Sequence, residues 1–274
     1  MAGQFGPRIT GLRLAGGTNV FAELGDLSIH LPDGRRYRLA GGHRLWTAPE
    51  VPEITYAPDD RPVVVTDGES GFRITQSPDP ATGIEKSIAI HLQMETVHLI
   101  HRITNGGGVA RALAPWAITQ LPVGGTTLLP LSEQFTDEHG LQPNAEIVLW
   151  PYTGIDDTPF VFHERILLIG SDRATPTKIG TSLERGWMSY VRDGLVFTKY
   201  ARPSPDGRYL DRGAAAQCYS GPDFVELETL GPVATLQPGE STEHEELWKV
   251  DAIDPGIPPF QVPDLLDLDG GHPQ

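Results

Sequence analysis

Residues 187–200 read WMSYVRDGLVFTKY, two strand-like runs on either side of Asp193-Gly194. An Asp-Gly pair supplies the positive φ angles that a two-residue hairpin turn requires. The turn would place Val191 directly opposite Val196. Because side chains alternate along a strand, a second set shares the opposite face: Met188, Tyr190, Phe197 and Lys199. This stretch predicts an antiparallel β-hairpin.

The same turn signature recurs at Asp33-Gly34, Asp67-Gly68 and Asn105-Gly106, and residues 84–103 alternate apolar with polar side chains. The 31 glycines and 25 prolines fall between apolar runs, as in turn-rich β proteins. No segment of eleven or more residues has helical periodicity, so we expect helix only in short turns, for example near residues 131–138. The sequence predicts an all-β protein.

The domain organisation follows from length and composition. All-β sandwiches of roughly this length often form one unit. We therefore expect a single domain over residues 1–251. A tail rich in proline, glycine and aspartate follows over residues 252–274, and we expect it to be an extended strap with its last residues loose.

The formal net charge of −15 makes nucleic acid and anionic membrane surfaces poor partners. No apolar stretch reaches the length of a membrane span, and the N-terminal residues do not have the pattern of a secretory signal. Cys218 is the single cysteine, which excludes an internal disulfide framework. We expect a cytoplasmic protein.

The sequence has none of three common motifs for nucleotide binding or serine-hydrolase chemistry. It contains no Gly-x-Gly-x-x-Gly after a strand, no phosphate-binding Gly-x-x-x-x-Gly-Lys loop and no Gly-x-Ser-x-Gly elbow. His98-x-x-His101 has the residues of a metal site, but residues three apart on a strand face opposite sides. We expect no cofactor and no metal.

Two clusters contain residues suited to chemistry. Residues 41–46 read GGHRLW, where paired glycines let the backbone approach another strand closely and precede a proton carrier, a bidentate cation and an aromatic ring. The alternative is a bulged strand with Trp46 in the core. Residues 224–232 read FVELETLGP. Glu226 and Glu228 share one strand face there, and two neighbouring carboxylates raise each other's pKa, as a general base requires. The alternative is a solvent-facing stripe.

Taken together, these motifs resemble the galactose-mutarotase-like (aldose 1-epimerase-like) superfamily, in a branch known as a domain of unknown function. The likeness spans roughly residues 8–250. It rests on residues 41–46, 105–106, 114–117, 149–153, 186–187 and 226–232. The resemblance implies a β-supersandwich of two large antiparallel sheets with little helix and an open cleft on a concave face.

The resemblance also implies roles for single residues. Glu228 is similar to the glutamate that accepts the proton of the anomeric hydroxyl, and Arg44 to an arginine that contacts sugar hydroxyls. Where the family has an acid histidine, this chain has Trp116, so His43 is the nearest candidate acid. The remaining candidates for substrate binding are Trp46, Trp116, Trp150, Trp187, Lys199 and Glu226.

Three functions fit this resemblance. The first is an aldose 1-epimerase-like isomerase that uses Glu228 as base and His43 as acid. The second is a carbohydrate-binding or sensing module, which the tryptophan at position 116 favours. The third is a polysaccharide lyase or glycoside hydrolase on the same kind of sandwich. In each case we expect a small-molecule carbohydrate as ligand and a monomer or homodimer.

Overall fold

The computed structural model describes residues 5–68, 70–134, 136–154, 160–171 and 174–270. Within these ranges the first sheet contains, in spatial order, β1 (Arg8–Ile9), β4 (Gly42–Ala48), β9 (Arg111–Leu121), β18 (Val225–Leu230), β17 (Ala216–Ser220), β14 (Thr177–Thr181) and β11 (Val148–Leu149). An eighth strand, β19 (Ala234–Leu236), pairs with the first residues of β9. We call this the eight-stranded sheet.

The ten-stranded sheet contains, again in spatial order, β12 (Phe160–His163), β13 (Ile166–Gly170), β10 (Thr126–Pro130), β15 (Trp187–Arg192), β16 (Leu195–Tyr200), β20 (Ser241–Ala252), β8 (Thr96–Asn105), β7 (Ile84–Leu92), β6 (Gly71–Gln76) and β5 (Val63–Gly68). A separate hairpin is formed by β2 (Ser28–His30) and β3 (Arg36–Arg38). The described helices are short: α1 (Pro52–Thr55), α2 (Val262–Leu265) and 3-10 turns at Asp211–Gly213 and Pro259–Gln261.

The hairpin predicted around Asp193-Gly194 is present with the expected register. Val191 lies opposite Val196, and Trp187 lies opposite Tyr200. Every strand pair in the described residues is antiparallel. The prediction of an all-β antiparallel sandwich with little helix is therefore confirmed.

Asn105-Gly106 differs from the other turn signatures because it does not close a hairpin. It connects β8 of the ten-stranded sheet to β9 of the eight-stranded sheet. The buried Asn105 amide donates hydrogen bonds of 2.9 Å to the carbonyl oxygens of Val109 and Leu236. An asparagine that satisfies two backbone acceptors stabilises a crossover where no strand ladder exists.

The core lies between the two sheets. Leu45, Leu121 and Leu227 enter it from the eight-stranded sheet, and other buried residues come from the ten-stranded sheet: Ile88, Leu99, Phe197 and Trp248. The rings of Phe197 and Trp248 meet edge to face, with centroids 5.6 Å apart. Because side chains alternate along each strand, the opposite face of the eight-stranded sheet is left for other contacts.

The paired glycines at the start of β4 allow a close backbone approach, as the sequence suggested. Gly41 and Gly42 have φ angles of +83° and +74°. A Cβ atom on Gly41 would lie 2.0 Å from the carbonyl oxygen of Ala22. Side chains larger than hydrogen are therefore excluded at this position by both φ and space.

The chain after β20 packs against the outer face of the ten-stranded sheet. Val262 and Leu268 are buried there together with Trp187 and Val196. This segment contains the short helix α2. The sequence predicted a short helical turn near residues 131–138, but the described residues of that range contain no helix, so this prediction is corrected. None of the described helices is long and apolar enough to cross a membrane. Residues 271–274 lie outside the described residues, and the division into a domain of 1–251 and a tail of 252–274 stays a prediction.

Candidate functional site

The candidate site lies on the outer face of the eight-stranded sheet. Arg44 of β4 is paired with Ile118 of β9, and Ile118 is paired with Glu228 of β18. Directly paired residues of antiparallel strands project to the same side. Glu226, two residues before Glu228, shares this side as well, so the predicted Arg44, Glu226 and Glu228 are brought to one face of the sheet.

A cleft of about 300 Å³ opens above these residues. Aromatic side chains form much of its wall: Trp46, Tyr56, Trp116, Tyr152, Tyr219 and Phe224. Arg44, Lys178 and Glu226 also line it, together with the hairpin residues Ser28 and Ile29. Trp46 and Trp116, two of the candidates for substrate binding, line this cleft. An aromatic wall with a few charged groups is the usual composition of a small-molecule site.

Arg44 and Glu226 form one ion pair of the cleft. Arg44 Nη2 lies 2.8 Å from Glu226 Oε1, and Gln120 Nε2 donates to the same oxygen at 2.9 Å. The guanidinium carbon of Arg44 lies 4.2 Å from the centroid of the Trp46 ring. Stacking on an aromatic face and bonding to a carboxylate together hold the planar guanidinium in one orientation.

Glu228 and Lys178 form a second, more deeply buried ion pair. Lys178 Nζ lies 2.8 Å from Glu228 Oε2, which also accepts a hydrogen bond of 2.7 Å from Trp116 Nε1. The same ammonium lies 4.7 Å from the centroid of Trp116 and 4.8 Å from that of Trp150. Trp150 is thus connected to the cleft through Lys178. Lys178 and Trp116 separate Glu228 from the cleft, since Glu228 has no exposed surface.

Burial raises the pKa of Glu228 to about 7, although the nearby Lys178 ammonium acts to lower it. The Glu226 carboxylate adds to the rise by repulsion between like charges. A carboxyl group with this pKa exchanges its proton near neutral pH, as a general base or acid must.

Several buried polar atoms of the site have no hydrogen-bond partner among the described residues. Donors without a partner are Nε and Nη1 of Arg44, and acceptors without one are Oε1 of Gln120 and Oε1 of Glu228. Buried polar groups in folded proteins are almost always paired, so each exception calls for an explanation. A polar ligand that both donates and accepts hydrogen bonds would satisfy them once the side chains that cover these atoms move.

Three predicted site residues lie elsewhere. His43 faces the core between the sheets, because it neighbours Arg44 on the same strand and therefore points the opposite way. Lys199 is also between the sheets, with Nζ 2.7 Å from Glu246. Trp187 lies under the chain that follows β20, residues 253–270, which we call the C-terminal segment. It donates a hydrogen bond to Asp269 of that segment. The structure therefore corrects His43 as the acid partner of Glu228, and Lys199 and Trp187 as cleft residues.

Lys178 and the tyrosines of the cleft were not predicted from the sequence. Lys178 lies in the short strand β14, whose sequence TKIGT contains no motif. Its position beside Glu228 results from the pairing of Lys178 with Tyr219 and of Gln217 with Glu228. Only the order of strands in the sheet brings these residues together, and a single sequence contains no signal for that order.

Comparison with known proteins gives a likeness of fold. No protein-family model matches the chain, and no curated protein matches it. Among solved structures, a TPR-domain containing protein from Parabacteroides distasonis is 15% identical with a TM-score of 0.59, over 93% of this chain and 46% of that chain. A galactose mutarotase-like protein from Lactobacillus casei is 13% identical with a TM-score of 0.49, over 85% of this chain and 84% of that one.

A galactose mutarotase related enzyme from Lactobacillus acidophilus is 8% identical with a TM-score of 0.42, over 82% of this chain and 78% of that one. At these identities the likenesses concern the fold, and the match to the Parabacteroides protein is the strongest of the three by TM-score. The chain therefore has an antiparallel β-sandwich fold that it shares with part of that longer protein.

Proposed function

We propose that the protein binds a small carbohydrate in the cleft formed by Arg44, Trp46, Trp116, Lys178 and Glu226. The observation that supports this most directly is the set of unpaired buried donors and acceptors beside aromatic rings. A sugar offers hydroxyl groups that donate and accept, and apolar ring faces that stack on aromatic side chains. The sequence resemblance to galactose-mutarotase-like proteins is in line with this ligand class.

A panel of aldoses tested by isothermal titration calorimetry checks the binding. Arg44→Gln should weaken the binding of any sugar that binds by about 1.5–3 kcal/mol, the usual value of a hydrogen bond to a charged group. Arg102→Gln is the matched control, because Arg102 lies on the ten-stranded sheet and pairs with Glu243. Absence of binding to every aldose, or equal binding by both variants, would contradict the proposal.

A second proposed function is interconversion of sugar anomers, which the raised pKa of Glu228 beside Lys178 favours. The Glu228 carboxylate would take the proton of the anomeric hydroxyl while the Lys178 ammonium protonates the ring oxygen. The ring opens, C1 rotates, and closure in the reverse sense gives the other anomer. Lys178 replaces His43 as the acid in this proposal, and it must turn away from Glu228 so that the sugar can reach the carboxylate.

Polarimetry on freshly dissolved aldoses tests this reaction. Glu228→Gln should keep the fold and most of the binding, because the amide preserves the shape of the side chain. The rate should fall by about a hundredfold or more, the usual contribution of a general base. Glu226→Gln should have a smaller effect on the rate. If sugars bind without acceleration of mutarotation, the binding function stands alone.

A further inference from the structure

A second cluster of polar side chains lies between the sheets, on the other side of the eight-stranded sheet from the cleft. It contains His43 of β4, His101 of β8 and Glu246 of β20, all buried. Ligand atoms of these three residues lie within 4.8 Å of one another. We propose that the cluster binds a divalent transition-metal ion of the zinc type.

The protonation of His101 follows from its partner. Its Nδ1 atom lies 3.1 Å from the backbone carbonyl oxygen of His244. A carbonyl oxygen can only accept a hydrogen bond, so Nδ1 carries the proton and Nε2 presents a lone pair. Metal-binding histidines commonly donate their second ring nitrogen to a carbonyl or carboxylate in this way.

The lone pair of His101 points at a second imidazole nitrogen. His43 Nε2 lies 2.7 Å from His101 Nε2, the length of an N–H···N hydrogen bond, so His43 Nε2 carries the proton between the two atoms. A zinc ion bound by both nitrogens at roughly 2.0–2.1 Å would replace this proton and move the two rings farther apart. His43 Nδ1 lies 2.8 Å from the hydroxyl oxygen of Thr119. Because a hydroxyl group both donates and accepts, Thr119 lets His43 adopt either tautomer. With its proton on Nδ1, neutral His43 directs a second lone pair toward the bound ion.

Glu246 supplies the third ligand and the negative charge. Its carboxylate accepts hydrogen bonds from Thr229, from Trp248 Nε1 at 2.8 Å and from Lys199 Nζ at 2.7 Å. Lys199 is held independently by the carbonyl oxygens of Ala117 and Leu227, 3.3 and 3.2 Å away. Its ammonium would repel the ion. Only ligands that bind an ion strongly, such as imidazole, can offset this repulsion between Lys199 and the ion. A set of two histidines and one glutamate suits zinc better than magnesium or calcium.

A surface groove lies beside the cluster, but the three ligands are buried, so an ion could enter only when side chains move. A groove of about 590 Å³ on the surface of the protein is lined in part by His244 and Glu246. The sequence predicted no metal, since the spacing of His98 and His101 cannot chelate one ion. The two histidines do face opposite sides of the strand: His98 faces outward to Glu245, whereas His101 is buried. The proposed ligands instead come from three strands of both sheets, and no local spacing shows them.

The test uses the full chain, dialysed against chelator and then titrated with Co²⁺ as a spectroscopic probe. We expect ligand-field absorption bands in the visible range that disappear when one equivalent of Zn²⁺ is added. His101→Asn should weaken Zn²⁺ binding by more than about a hundredfold, which exceeds the effect of losing a residue that only orients a ligand. Thr119→Val, which removes such an orienting residue, should weaken it by about tenfold to a hundredfold.

His98→Asn is the matched control, because His98 lies on the same strand as His101 but faces outward. The Zn²⁺ affinity of this variant should equal that of the unsubstituted protein. A chain that gives no Co²⁺ bands would overturn the proposal and leave a hydrogen-bonded network only. Equal affinities of His98→Asn and His101→Asn would overturn it as well.

A second measurement avoids any folding defect of the variants. In the unsubstituted protein, ¹⁵N spectra of the imidazole rings should show two buried histidines whose Nε2 signals shift when Zn²⁺ is added. Unchanged ring signals in the presence of Zn²⁺ would overturn the proposal by themselves.

Discussion

Two glutamates on one face of β18 have different surroundings. The Glu226 side chain keeps 12% of its surface exposed and pairs with Arg44. Glu228 is fully buried and is bound by Lys178 and Trp116. The two carboxylates therefore differ in solvation although they are only two residues apart, and desolvation separates their possible roles: Glu226 can meet a ligand directly, whereas Glu228 can exchange a proton near neutral pH.

The titration of Glu228 can be measured without any assay of activity. We expect ¹³C spectra of the side-chain carboxyl groups to show one glutamate with a pKa of about 7. Because burial disfavours the charged form, this carboxyl group should be protonated below pH 7 and ionised above it. Any general-base activity should therefore be lost as the pH falls through 7.

The signal is assigned by its absence in Glu228→Gln. Lys178→Met should raise the pKa of Glu228 further, because it removes the positive charge that favours ionisation. A Glu228 pKa near the ordinary value for glutamate in the folded protein would contradict this account of the site.

At the scale of elements, β4 contributes side chains both to the cleft and to the buried histidine cluster between the sheets. Arg44 and Trp46 project into the cleft, while His43 projects between the sheets toward His101. The strand can serve two sites because its neighbouring side chains point to opposite faces. Its position depends on the two glycines that let the chain pass close to Ala22 and Ile9.

Replacing Gly41 by alanine tests this close approach. Gly34 is the matched control, because its φ of +85° resembles the +83° of Gly41 but a Cβ atom there meets no atom within 4 Å. Gly34→Ala should lower the free energy of unfolding by about 1–2 kcal/mol through the left-handed backbone alone. Gly41→Ala should lower the free energy of unfolding by about 1–3 kcal/mol more than Gly34→Ala, because the added methyl group overpacks against Ala22. Equal losses in urea unfolding would contradict the predicted backbone contact.

At the scale of the whole molecule, the C-terminal segment covers the outer face of the ten-stranded sheet. The covered residues include Trp187, Val196 and Tyr200. Trp187 Nε1 donates a hydrogen bond of 2.7 Å to Asp269 within this segment. The tryptophan predicted from sequence to line a sugar cleft therefore serves to attach the C-terminal segment to the sheet.

Leu268→Ala measures how strongly the segment is attached. Leu268 is buried against the sheet, so its truncation should cost about 2–5 kcal/mol of unfolding free energy. Leu265→Ala changes the same residue type three positions earlier, where 52% of the side chain is exposed, and should be close to neutral. A Leu268→Ala variant as stable as Leu265→Ala in denaturant unfolding would show that the segment contributes little to the fold.

The strands and hairpins could be predicted from the sequence because they depend on neighbouring residues. An Asp-Gly turn and the alternation of side chains specify the register of Val191 with Val196 without reference to the rest of the chain. The glutamates on one face of β18 and the close approach at Gly41 were predictable for the same reason.

Only the tertiary structure decided which face of each strand meets the cleft and which meets the core. Alternation shows that His43 and Arg44 point to opposite sides, but the stacking of the second sheet determines that His43 is buried against His101. Lys178 reaches Glu228, and Lys199 reaches Glu246, through strands that are far apart in sequence. Contacts of this kind depend on strand order and sheet packing, which are set by the burial of the whole apolar core and not by any local pattern.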